Sequence, residues 1–295
     1  MLNFIHKNNI RKKHIQKIQK IQKIQKEFIK KHNENKEEYQ TKINILNLYT
    51  KLNKPIVLNT KYNYVIPLNL YTCWHTKILP PYISSNYQTV FNNNPEFKSY
   101  LFDENDCLEF IQNNFDIEIS NAYKSLKPCS YKSDLWRFCI LYKNGGIYYD
   151  IKYVCVNGFK FIHLTENELF VRDRPKNCVY TALIVSKPNN PILKNCIDQI
   201  VLNVKNNYYG INALYPTGPG LLGSYFSDEE INILPSYFSN TCVQNKLDVF
   251  YIVYNNIIIL QYENDKYRSE QSINQKNKHY NELWNERDIY ITNTV

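Results

Sequence analysis

Glycine is scarce, 7 of 295 residues beside 12 prolines, which excludes a collagen-like repeat or a flexible linker as the body of the chain. No stretch approaches the roughly 20 consecutive apolar residues that a membrane-spanning helix needs. The opening MLNFIHKNNIRKKH lacks the apolar core of a secretion signal, so the expectation is a soluble or peripheral protein. The eight cysteines (73, 107, 129, 139, 155, 178, 196 and 242) form no C-x-x-C pair, so a zinc knuckle is not expected. Several lie inside apolar runs such as RFCILY, which suggests free, buried thiols in a reducing compartment and no cysteine nucleophile. Net charge is also missing from most of the chain. Residues 1–54 hold 14 Lys/Arg against 4 Asp/Glu, and the other 241 residues hold 22 against 23. The overall charge of +9 therefore belongs to the N-terminal arm, and specific nucleic-acid binding by the body is not expected.

What is abundant is aromatic: 26 Tyr, 14 Phe and 3 Trp, within a hydrophobic fraction of 43%, too much apolar surface to leave unburied. The 41 Asn fit an AT-rich genome and say little about fold. Two regions are expected, a basic Lys/Ile/Gln-rich extension over 1–54 and a folded domain over 55–295. In the extension, Ile15 to Lys26 repeat I-Q-K four times. At about 100° per helical residue that period sweeps the isoleucines around the helix without making a seam. A solvated helical arm is the plain reading, with contact to an anionic membrane or self-association as the alternatives.

Beyond Pro55, strand-like and helix-like segments alternate, which predicts an α/β domain with a mixed central sheet flanked by helices. NYVIPLNLYTCWHT (63–76) reads as a buried strand entering a loop, and PEFKSYLFDENDCLEFIQNNF (95–115) as strand, turn and helix. KSDLWRFCILYKN (132–144) reads as a helix with Ser133 as N-cap, ending at Gly145-Gly146, and GIYYDIKYVCV (146–156) as one strand. PILKNCIDQIVLNVKN (191–206) is a further helix. Ligands in such folds sit beyond strand ends, so the loops after Cys73, Tyr149 and Ile184 are the ones to examine. Asp134 and Arg137, three apart, share a helix face. A carboxylate and a guanidinium there can grip vicinal hydroxyls, or form an ordinary surface ion pair.

The pattern Asp-x-x-Arg, helix, Gly-Gly-x-Tyr-x-Asp resembles the DXD-containing sugar-binding region of family 32 glycosyltransferases. That family includes yeast initiating mannosyltransferases and giant-virus relatives, and its donor-site layout is shared by clostridial toxin glucosyltransferases. IPLNLYTCWHTKILPP, NNPEFKSYLFDEND, KPNNP, YPTGPG and KHYNELW resemble further family segments in the same order, from about Ile66 to Trp284. The resemblance implies a GT-A, Rossmann-like domain that transfers a hexose with retention from a nucleotide diphosphate sugar, a UDP-sugar favoured over GDP-mannose, to a glycan or glycosylated acceptor. It also implies a divalent cation, Mn²⁺ or Mg²⁺.

Carried over by position, it puts Thr72 and Trp74 at the base, Asp134 and Arg137 on sugar hydroxyls, and Tyr148 and Asp150 at the ribose and cation. Trp284 would give its indole N–H to the diphosphate. The second DXD carboxylate is Lys152 here. Three readings follow: a metal held by Asp150 with His279 or Glu282; Lys152 replacing part of the cation; or an inactive nucleotide-sugar or glycan binder. The first is the favoured expectation. A cytoplasmic or peripheral-membrane location, in host cytoplasm or virion for a viral chain, is expected.

Overall fold

The computed structural model describes residues 61–242, 247–274 and 278–291, together with 40, 44, 47, 48 and 50–57. The chain divides into two compact units, residues 1–51 and 52–295. The I-Q-K repeat lies outside the described residues. Among the described residues no helix is long and apolar enough to cross a membrane.

The second unit is an α/β domain. Strand β1 (Asn69–Cys73) is followed by helix α1 (Pro81–Asn93), strand β2 (Lys98–Phe102) and helices α2 (Glu104–Asn114), α3 (Ile117–Ser125) and α4 (Cys129–Asn144). Strands β3 (Gly146–Tyr149), β4 (Val154–Cys155), β5 (Leu169–Arg172) and β6 (Val179–Ser186) lead to helices α5 (Pro191–Lys205), α6 (Pro219–Gly223) and α7 (Asp228–Ile233). Strands β7 (Ser236–Cys242), β8 (Leu247–Tyr254) and β9 (Ile257–Glu263), then helices α8 (Asn264–Asn274) and α9 (Tyr280–Asn285), complete the described elements.

The strands form one mixed sheet in the order β2-β1-β3-β6-β5-β7-β8-β9-β4. β1 runs parallel to β2 and β3, whereas β6 is antiparallel to β3 and β5. Two apolar clusters are built on it. One joins α2 to α5 around Trp136, Phe138 and Leu222; the other gathers Ile147, Tyr149, Phe161 and Leu260. A mixed sheet flanked by helices is the architecture expected of a GT-A domain.

Local chemistry explains several boundaries. Asp103 and Asp106 form a reciprocal capping box at the start of α2, satisfying two backbone N–H groups. Asn190 caps α5 by accepting from the amides of Ile192 and Leu193, with Pro191 in the first turn. Two expectations are corrected. α4 begins at Cys129, so Ser133 is not its N-cap but lies inside the helix with its hydroxyl turned to Arg137 and Cys73. The run 146–156 is two strands, because Asp150 to Tyr153 make a turn: the Tyr153 amide donates to the Asp150 carbonyl at 3.0 Å. Gly146 sits at the α4–β3 junction with φ +122, where an added Cβ would come within 2.6 Å of the Asn69 carbonyl oxygen, so only glycine fits.

Candidate donor-binding site

α4, β3 and the turn after it bring together Asp134, Arg137, Tyr148, Asp150 and Lys152 on the wall of a cavity of about 880 Å³, a size that suits a small-molecule substrate. The loops after Cys73 and Tyr149 line it, as expected, through Trp74 and His75 and through Asp150 to Lys152. The loop after Ile184 does not. β6 is antiparallel to β3, so it is the start of β6, Tyr180 to Ala182, that faces the cavity.

Arg137 is 5% exposed and fully engaged. Its Nε donates to the Ser133 carbonyl at 3.1 Å, Nη2 to the Ser133 hydroxyl at 2.6 Å, and Nη1 to the Thr181 carbonyl at 2.7 Å. Nη1 also lies 3.5 Å from Asp150, Nη2 lies 3.6 Å from Asp134, and the guanidinium stacks 4.3 Å above the Tyr148 ring. Burial alone would push its pKa down, but Tyr148, Asp134 and Asp150 hold it above its ordinary value, so the charge is fixed. With its donors occupied, Arg137 organises both carboxylates and has little left for a sugar hydroxyl.

Asp134 keeps capacity toward the cavity. Its two oxygens accept from Thr181 at 3.3 Å and from Thr217 at 2.9 Å. Burial raises its pKa, while Arg137 and the Thr217 hydroxyl pull the other way. Thr217 and Gly218 belong to the YPTGPG segment, and a Cβ on Gly218 would stand 2.9 Å from the Asp134 carboxylate. The close approach of that loop is what the glycine permits.

Asp150 accepts from the Tyr148 hydroxyl at 2.8 Å on one oxygen and pairs with the Lys152 ammonium at 2.9 Å on the other. Burial would raise its pKa; Lys152 and Arg137 hold it below the usual carboxylate range. Lys152 responds in the opposite direction: burial would lower its pKa, and Asp150 keeps it raised.

Trp74 lines the cavity, in edge contact with Tyr267 at 6.4 Å, and its indole N–H is buried without a hydrogen-bond partner among the described residues. Thr72, expected at the base, is 1% exposed and is not among the cavity-lining residues, and its hydroxyl is likewise without a hydrogen-bond partner among the described residues. The donation expected from Trp284 to a diphosphate is taken by the Tyr209 carbonyl at 2.6 Å, and Trp284 is not among the cavity-lining residues.

The expected metal ligands are not assembled. His279 lines the cavity but caps α9, its Nδ1 accepting from the Asn281 amide, and burial and Arg268 lower its pKa. Glu282 does not line the cavity. Among the described residues no group of three His, Cys, Asp or Glu is placed to hold a metal ion. A Mn²⁺ or Mg²⁺ ion needs several oxygen donors; Asp150 offers a single carboxylate, and the Lys152 ammonium 2.9 Å from one of its oxygens sets a like charge where the ion would sit. The side chains as arranged do not fit a divalent ion.

Sequence reasoning missed Tyr180, Tyr262 and Tyr267 around Lys152, and Asp173 and Arg174, which line the same cavity. The abundance of tyrosine is their only trace in the sequence. Cys73, Cys107, Cys129, Cys139, Cys155, Cys178 and Cys196 form no disulfide among the described residues, and Cys107, Cys139, Cys178 and Cys196 are buried.

Residues 80–170 match the family model described as glycosyltransferase sugar-binding region containing DXD motif. An uncharacterised glycosyltransferase of Acanthamoeba polyphaga mimivirus is 30% identical over 119 residues, 39% of this chain and 46% of that relative. An initiation-specific alpha-1,6-mannosyltransferase of Candida albicans is 28% identical over 221 residues, 59% of this chain and 56% of that relative. The chain thus spans about half the length of the curated relatives it matches. A solved structure titled PaToxG glycosyltransferase superposes with a TM-score of 0.42 and 19% identity over 54% of this chain and 67% of that one. Over residues 80–170, then, the chain is similar to the sugar-binding region of the DXD-containing glycosyltransferases.

Proposed function

We infer that this protein transfers a hexose from a nucleotide diphosphate sugar to a hydroxyl of a glycan or glycosylated acceptor, with retention at the anomeric carbon. The observation that carries this is the cavity of about 880 Å³ whose wall joins Asp134, Asp150 and Lys152 within the matched segment. Trp74 lines the cavity and offers an aromatic surface to a base. Asp134 accepts hydrogen bonds from sugar hydroxyls while Arg137 and Thr217 hold it in place. No protein nucleophile is needed if the acceptor oxygen attacks on the face the diphosphate leaves. Rate enhancement then comes from orientation and from stabilising the leaving group's charge.

The resemblance to the family favours a UDP-sugar. The printed name of the Candida albicans relative, a mannosyltransferase, makes GDP-mannose the competing donor. A panel of UDP- and GDP-hexoses, assayed for hydrolysis and for transfer to oligosaccharides, decides. Turnover of one donor with its anomeric configuration preserved is the expected result. Thermal stabilisation by a donor without turnover would instead identify a nucleotide-sugar binder, and inversion would remove the same-face mechanism. The net positive charge of residues 1–54 supports peripheral placement on an anionic membrane, which co-sedimentation with phosphatidylserine vesicles tests.

A further inference from the structure

The family pattern has a carboxylate where this chain has Lys152, and the fold surrounds that lysine with a cage. Its ammonium lies 5.0 Å from the ring centroid of Tyr262, 5.5 Å from Tyr153, 5.6 Å from Tyr180 and 5.7 Å from Tyr267. These rings come from the turn after β3, from β6, from β9 and from α8, so separate elements converge on one cation. Tyrosine faces attract a positive charge through their quadrupole. They leave its N–H groups with less competition than carboxylates would impose. An ammonium has three donors; Asp150 takes one at 2.9 Å, and the side chain, 14% exposed, reaches the cavity surface. Asn86 holds the Lys152 carbonyl at 2.8 Å from the other side, fixing the backbone of the turn. Arg174 and Arg268 line the same cavity and add positive charge.

We propose that Lys152 is the fixed cation of the donor site and receives the diphosphate of the nucleotide sugar without a divalent ion. The proposal rests on the glycosyltransferase reading above. In the transfer step the bond between the anomeric carbon and the diphosphate oxygen breaks, its electron pair staying on that oxygen. The acceptor hydroxyl oxygen bonds to the anomeric carbon, and its proton passes to the departing diphosphate. Lys152 keeps its own proton throughout and offsets the charge gathering on the leaving group. The Asp150 carboxylate and the four rings hold it in place in advance, which is how a flexible lysine becomes a preorganised group.

Calorimetric titration of UDP and GDP into the full chain, in EDTA and in Mn²⁺, is the test. The diphosphate that binds does so in EDTA within about twofold of its affinity in Mn²⁺. Lys152→Gln lowers that affinity by about tenfold or more and leaves binding of the matching nucleoside unchanged, while Lys152→Arg restores most of the loss. Loss of wild-type binding on chelation overturns the proposal without any variant, as does unchanged diphosphate affinity in a folded Lys152→Gln. Failure of both UDP and GDP to bind even with Mn²⁺ is a different result: it removes the nucleotide-sugar reading itself and the proposal with it.

Discussion

Asp150 meets a hydroxyl, an ammonium and a guanidinium at 2.8, 2.9 and 3.5 Å, and its exchange for asparagine separates charge from shape. Asp150→Asn should lower turnover by about 100-fold or more, since a charge-orienting group at the reacting centre is lost. It should also cost about 1–3 kcal/mol of stability, because Lys152 keeps a half-buried charge without its partner; kinetics and urea unfolding check both. Arg137 and Asp134 should behave differently. Arg137→Ala leaves two carboxylates facing each other and should destabilise by about 3–5 kcal/mol. Asp134→Asn should chiefly raise the donor KM, with nucleoside diphosphate affinity held within about threefold. Asp173 has its own pH signature. Burial pushes its carboxyl up to about 6, held from going further by the Arg174 amide and by the Lys152 and Arg174 charges. A carboxyl whose folded pKa exceeds its unfolded value binds more protons when folded, so its contribution to stability declines as pH rises from about 4 to about 6 and is constant above. Wild type should therefore lose stability relative to Asp173→Asn across that window, measured by urea unfolding at pH 4 and pH 7. A constant difference would place the Asp173 pKa at its ordinary value.

At the level of elements, the site depends on two backbone approaches. Gly146 lets β3 leave α4 against the Asn69 carbonyl, and Gly218 lets the loop before α6 reach the Asp134 carboxylate. Gly146→Ala should cost about 1–3 kcal/mol through forced left-handed backbone and a clash. Gly218→Ala, with its Cβ 2.9 Å from an Asp134 oxygen, should cost donor affinity more than stability, read by comparing melting temperature with KM. The same elements show what a sequence can reveal. The strand-turn-helix order of 95–115 was legible, and the turn is where Asp103 and Asp106 form their capping box. α5 was legible from Pro191 and the apolar spacing behind it. The break inside GIYYDIKYVCV was not, since Asp150-Ile151-Lys152-Tyr153 keeps the polar and apolar alternation of a strand. The turn is held from outside, by the Asp150 amide donating to the Ala182 carbonyl and by Asn86 gripping the Lys152 carbonyl. Ser133 looked like a cap because capping and buried hydroxyl roles use the same residue type; which one it plays depends on Arg137 lying one turn further along the helix.

For the whole molecule, most of the legible part of the site was contiguous in sequence, with Trp74 and His279 reaching the same cavity from elsewhere in the chain. Asp134, Arg137, Tyr148, Asp150 and Lys152 fall within 19 residues and also share the cavity. The cage was invisible because Tyr180, Tyr262 and Tyr267 reach Lys152 only through the sheet order, and tyrosine is too common in this chain for any one to stand out. Trp284 and Glu282 belong to the segment that resembles the family pattern, yet the local helix α9 turns them from the cavity. A ligand that binds only the folded state should stabilise the protein by about 2.7 kcal/mol at a hundredfold excess over its Kd, visible as a rise in melting temperature with UDP or GDP in EDTA.

The sheet order carries a consequence in time. β4, two residues beyond Lys152, has β9 as its partner strand, with Val154 opposite Gln261 and Cys155 opposite Leu260, more than 100 residues later in the chain. Closing a loop of that size is an entropic barrier that contacts must already be in place to repay. While the chain is still being synthesised, α4 and β3 can collapse onto β1, but β4 has no β9 to pair with and Lys152 has neither Tyr262 nor Tyr267 beside it. The cation is caged last. A chain ending at Asn256 should therefore retain much of the helical signal of the early half in circular dichroism yet fail to bind nucleoside diphosphate, and refolding from urea should recover that binding in a slower phase than the helical signal.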